Sequence, residues 1–101
     1  MPKREFQIWL AETVQCVIAF VANKGDVAGL VVRLRALVAG RWYDIRRYDT
    51  AHGQPHIDVL NWRGETVEKI WLPYYNVDDA LTFAQRDVQL NYQTYIQGFL
   101  R

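Results

Sequence analysis

The C-terminal end of the chain carries the pattern that most limits what it can become. Leu81, Ala84, Val88, Tyr92, Tyr95 and Phe99 recur at steps of three and four, and no Gly or Pro interrupts the run before Gly98. That spacing sets all six on one stripe of a helix, and such a stripe has to be buried against another apolar surface. Asn76 is a good N-cap, and Asp78 and Asp79 put carboxylates in the first turn, beside the unpaired amides and the positive dipole end. Pro73 separates this helix from the residues before it.

Those upstream residues follow a different period. Phe6, Ile8 and Leu10 alternate with Gln7, Trp9 and Ala11, which suits a first strand with one face on a core. Thr13 to Ala22 is rich in β-branched residues and ends at the turn formers Asn23, Lys24, Gly25 and Asp26; valine and leucine dominate again from Val27 to Val38. This predicts a hairpin, although a helix over residues 11–21 stays open, because a short apolar run does not settle its own period. Leu30, Val32, Leu34, Ala36 and Val38 share one face, and Val31, Arg33 and Arg35 the other. Ala39-Gly40 turns the chain into a strand over Arg41 to Asp49, with Tyr43, Ile45 and Arg47 expected on one side and Trp42, Asp44, Arg46 and Tyr48 on the other. His56 to Trp62 and Glu65 to Leu72 read as a last hairpin about Arg63-Gly64. The expected fold is α+β: an antiparallel sheet of four to six strands packed against a long C-terminal helix. Residues 1–101 are expected to form one domain, since 101 residues are too few for two ordinary cores.

Composition narrows the function classes. Half of the residues are hydrophobic, enough for a core, and the net charge of +1 gives no support for the broad cationic footprint of a protein that holds DNA mainly through phosphates. The single cysteine, Cys16, lies in an apolar run and reads as a small buried hydrophobe; with no second cysteine there is no internal disulfide to suggest an oxidising compartment. A basic Met1 to Arg4 precedes no uninterrupted apolar segment, so a cytoplasmic chain without membrane contact is expected.

Chemistry concentrates in one stretch, Arg47-Tyr48-Asp49-Thr50-Ala51-His52-Gly53-Gln54-Pro55-His56-Ile57-Asp58, which holds both histidines of the chain. Gly53 and Pro55 impose a tight path on the loop. Imidazoles near their ordinary pKa both accept and donate protons at neutral pH, so His52 and His56 are candidates for the acid and base of phosphodiester cleavage. Arg47 would contact phosphate, with Arg46, Arg33 and Lys69 as further cations, and Asp49 or Asp58 would orient an imidazole. A second reading has His52, His56, Asp49 and Asp58 chelate a transition metal such as zinc, but an HxxxH across a Gly and a Pro lacks the helical spacing that makes such a motif specific. A third makes the stretch a recognition surface, with Tyr48 and Trp62 as stacking platforms. The plain alternative is that Asp49 and the histidines cap and pin a turn.

The residues Arg47, Tyr48, Asp49, His52, Gly53, Pro55, His56 and Asp58 resemble an RYDxxHGxPHxD pattern shared by small uncharacterised prokaryotic proteins. More distantly, an aspartate followed by a glycine-histidine segment on a small sheet-plus-helix protein is similar to TumE-like toxins, which are encoded beside a helix-turn-helix antitoxin. The resemblance implies an antiparallel α+β fold, a cytoplasmic setting and RNA-directed toxicity neutralised by an antitoxin-like partner; it carries over no catalytic role, and near-neutral charge departs from typically basic ribonuclease toxins. The leading expectation is a toxin-like RNA-acting protein, a metal-independent ribonuclease needing no cofactor, with His52 and His56 as its proton-transfer pair. The alternative is a non-catalytic interaction module or homodimer whose contact uses an uncovered sheet face or edge with Trp9, Trp42 and Trp62.

Overall fold

The computed structural model describes residues 3–23, 26–50 and 54–101, with backbone alone at 3, 22, 23, 26 and 27. Six strands, β1 (Lys3–Ala11), β2 (Val14–Asn23), β3 (Asp26–Val38), β4 (Arg41–Asp49), β5 (His56–Leu60) and β6 (Thr66–Trp71), are followed by one helix, α1 (Val77–Phe99). Each strand pairs antiparallel with its neighbour in sequence, so the sheet is a six-stranded meander in chain order. The segment left open between helix and strand is strand: Cys16, Val17 and Ile18 are buried within β2.

One row across the sheet explains the packing. Phe6, Ile18, Val32, Tyr48, Ile57 and Ile70 stand opposite one another from β1 to β6. Because side chains alternate faces along a strand, the whole row points to one side. With Leu34, Ala36 and Cys16 it forms the core against which α1 sets Ala80, Ala84 and Val88. The helix lies mainly over β3 and β4, and Asn76 caps it by accepting a 2.8 Å hydrogen bond from the Asp79 amide.

A β-bulge overturns the expected faces of β4. Leu34 pairs with Arg46 but Arg35 pairs with Asp44, leaving Ile45 as the extra residue. Past the bulge the alternation shifts by one. Tyr43, opposite Ala36, and both Arg46 and Tyr48 face the helix, whereas Asp44 and Arg47 face away. Strict alternation had placed Tyr43 with Arg47 and Asp44 with Arg46 and Tyr48.

The tight turns also follow local chemistry. Ala39 (φ 51°) and Gly40 (φ 81°) both take positive φ, as a two-residue turn matching the strand twist requires. At the last hairpin the Asn61 side chain accepts from the Arg63 and Glu65 amides at 3.0 Å each, and Gly64 takes φ 79°. Among the described residues no helix is long and apolar enough to cross a membrane.

Candidate functional site

The face of the sheet turned away from α1 holds a cluster of charged residues, and the register shows how. Arg33, Arg47, Asp58 and Lys69 stand in one row; Val31, Asp49, His56 and Trp71 stand in the next. Residues separated by seven or more positions in sequence therefore become neighbours through strand pairing alone.

Asp58 is the centre of this cluster. Its side chain is only 4 % exposed, and Arg47 Nη2 donates to its Oδ2 at 3.0 Å. His56 Nε2 lies 3.5 Å from the same oxygen, and Lys69 Nζ lies 3.8 Å from Oδ1. Arg47 Nε is 3.9 Å from Asp49 Oδ2. The His56 side chain, 5 % exposed, is fixed from two sides: Nδ1 meets the Gln54 carbonyl at 3.0 Å, and the ring tilts against Trp71 with centroids 5.2 Å apart. A buried carboxylate of this kind is tolerated because cations and hydrogen bonds surround it.

Beside the cluster on the same face runs a shallow groove of about 350 Å³. Arg33, Arg35, Arg41 and Arg63 line it, together with Trp42 and Trp62, and Asp44 is the one carboxylate among its lining residues. Asp44 pairs with Arg35 Nε at 3.0 Å and Arg33 Nη1 at 3.7 Å. The Arg35 guanidinium sits 5.7 Å from the Trp42 ring and that of Arg63 sits 5.0 Å from the Trp62 ring. Trp62 is 64 % exposed. Cationic planes resting on indoles, that of Trp62 open to solvent, are the elements of a surface that stacks unpaired bases and neutralises phosphates.

The structure thus brings Arg47, Asp49, His56, Asp58, Lys69 and Arg33 together on one face. It does not bring Tyr48 or Arg46 there. Tyr48 is 1 % exposed beneath α1, where its hydroxyl donates to Asp87 Oδ2 at 2.5 Å, so its ring is not a stacking platform. Arg46 lies between sheet and helix with its guanidinium 3.8 Å from the Tyr95 ring. His52 lies outside the described residues. Sequence reasoning had set Arg35 on a strand face, Arg41 at a strand start and Arg63 in a turn but had not joined them to Trp62 as one groove; the signal was the alternation of Arg33 and Arg35, read together with the turns that bring β4 and the last hairpin alongside.

A larger cleft of about 460 Å³ opens between the end of α1 and β4 and β5, with Arg46 and Arg101 as its charged lining residues. It lacks the carboxylate and imidazole groups that give the other face its chemistry.

Fold and site together define a small α+β protein whose meander is covered by a helix on one side and presents a basic, tryptophan-bearing surface with a buried Asp-His pair on the other. The family model described as Domain of unknown function (DUF7718) matches residues 1–101, and the chain belongs to that family. No curated protein and no solved structure matches it.

Proposed function

We propose that the chain is a toxin-like RNA-acting protein that holds single-stranded RNA on the open face of its sheet. The observation that carries this reading is the groove in which four arginines meet one carboxylate beside Trp42 and Trp62. Phosphates pair with the guanidinium groups and unstacked bases rest on the indoles, while the buried Asp58 anchors Arg47 at the edge of the path. The near-neutral net charge is compatible with this, because Arg33, Arg35, Arg41, Arg47, Arg63 and Lys69 gather on this face. An antitoxin-like partner would neutralise the protein by covering the same surface.

Cleavage by His52 and His56 is the second reading. It is favoured by the Gln54 carbonyl, which accepts a proton held on Nδ1 of His56 and leaves Nε2 as the basic atom beside Asp58. The burial of His56 argues for binding first and catalysis second.

Fluorescence anisotropy with a labelled single-stranded oligoribonucleotide tests the proposal. About three net phosphate contacts give a slope of log affinity against log salt near −2. Trp62→Ala, exposed and outside the core, is expected to weaken binding by about 5- to 150-fold, the equivalent of one lost stacking contact. Product formation in the same samples, with and without EDTA, reads the cleavage alternative. Binding that is absent at low salt, or unchanged in both Trp62→Ala and Arg63→Ala, would sink the RNA reading and leave the interaction module or homodimer.

A further inference from the structure

The His56–Asp58 contact contains an electrostatic conflict. A carbonyl oxygen only accepts, so the 3.0 Å approach of Gln54 to His56 puts a proton on Nδ1. Nε2 then faces Asp58 Oδ2 at 3.5 Å, either with a bare lone pair or with a second proton. Two acceptors facing each other repel, and with the side chains 5 % and 4 % exposed there is little solvent to relieve it. Arg47 Nη2 already donates to that oxygen at 3.0 Å, and a positive charge placed between Nε2 and Oδ2, a proton or a metal ion, would relieve the remaining repulsion. The other oxygen of Asp58, Oδ1, is buried without a hydrogen-bond partner among the described residues, since Lys69 Nζ stands off at 3.8 Å. Across the β4–β5 pairing, Asp49 stands directly opposite His56, and one ligand atom from each of Asp49, His56 and Asp58 lies within 4.8 Å of the others.

We propose that Asp49, His56 and Asp58 bind one divalent transition-metal ion with a preference for mixed nitrogen and oxygen donors, as zinc has. Ligands about 2.1 Å from a tetrahedral ion stand about 3.4 Å apart, so the Nε2–Oδ2 separation already suits a shared metal. Asp49, with its ligand atom within 4.8 Å of the other two, completes the set by a side-chain adjustment toward the ion. The Gln54 carbonyl holds the imidazole in the tautomer that ligates through Nε2, and Arg47 holds the carboxylate of Asp58; both are outer-shell partners of the usual kind. Three protein ligands leave one position for water or a phosphate oxygen. The inference does not depend on the RNA reading and is tested without RNA.

Isothermal titration of the full chain with Zn²⁺, Mn²⁺ and Mg²⁺, alongside the visible absorption of a Co²⁺-loaded sample, reads the site. One equivalent of Zn²⁺ is expected, with tetrahedral cobalt bands and a raised Tm. Asp49→Asn, nearly isosteric and at a partly exposed position, is expected to lower affinity at least about 10-fold while circular dichroism stays unchanged. Asp58→Asn lowers it as well if folded; if it is not, Asp49→Asn and the wild-type Tm decide. The proposal is overturned if no ion binds, or if Asp49→Asn binds as wild type does. It is also overturned if ¹⁵N spectra show both ring nitrogens of His56 still protonated with Zn²⁺ in excess; the charge between the two side chains is then a proton.

Discussion

Replacing Tyr48 by Phe tests the junction that sets the helix on the sheet. The hydroxyl of Tyr48 donates to Asp87 Oδ2 at 2.5 Å, and the same carboxylate accepts from Tyr95 at 2.8 Å and from Asn91 at 2.9 Å through its other oxygen. A hydrogen bond to a charged group contributes about 1.5–3 kcal/mol. The low end applies here, because Asp87 is partly exposed and keeps two other donors when the hydroxyl is removed. The ring itself stays, with its edge contact to Phe83 at 6.3 Å. A loss of about 1.5 kcal/mol lowers Tm by about 6–12 °C in a domain of this size. The pH dependence supplies a second check. Burial first, and then the hydrogen bond to Asp87, raise the Tyr48 pKa well above the ordinary tyrosine value of about 10. The folded chain therefore keeps this proton at a pH where the unfolded chain has released it, so the contribution is whole below about pH 10 and is lost as pH rises further. Wild type loses up to about 1.4 kcal/mol per pH unit in that window through Tyr48, and Tyr48→Phe does not. Thermal melts of both proteins from neutral pH upward should show a gap that is constant and then narrows. Equal Tm values at neutral pH, or a gap that stays constant above pH 10, would refute the reasoning.

Two further outcomes follow from the fold. Ala39 holds φ 51° beside Gly40 at 81°, a pairing better served by Asn-Gly, so Ala39→Asn should stabilise by about 0.5–1 kcal/mol and raise Tm by a few degrees, read by the same melts. Burial pushes the Cys16 thiol up to about 11, so at pH 8 it should resist a disulfide exchange reagent in the native protein and react promptly once denatured.

The parts of the fold that were legible are those where one period runs uninterrupted. The stripe from Leu81 to Phe99 needed a partner surface, and the row of Leu30, Val32, Leu34, Ala36 and Val38 supplied one, because each pattern is long enough to fix its own face. The faces of β4 were only partly legible, since a bulge adds one residue without leaving a mark in composition: Ile45 is as good a strand residue as its neighbours, yet it moves Tyr43 to the side of Arg46 and Tyr48 and Asp44 to the side of Arg47.

The site shows why proximity in sequence was a partial guide. Asp49, His56 and Asp58 were grouped because they lie in one loop and its flanks, and pairing of β4 with β5 does bring them together. Arg47 belongs to the same stretch, whereas Lys69 arrives along the row at right angles to the chain, and so do Arg33 and the tryptophans of the groove. A meander converts residues of like parity on successive strands into neighbours about 5 Å apart, so a functional surface on such a sheet is written across the strands. Tyr48 illustrates the converse. It is adjacent in sequence to Arg47 and Asp49 and carries an exposed-looking motif, but a strand sends neighbours to opposite faces, and its hydroxyl serves the helix at Asp87. The residues on which a ligand on this surface depends are therefore those sharing the parity of Arg47 and Asp58, and substitutions at Tyr48 or Arg46 should act through stability alone.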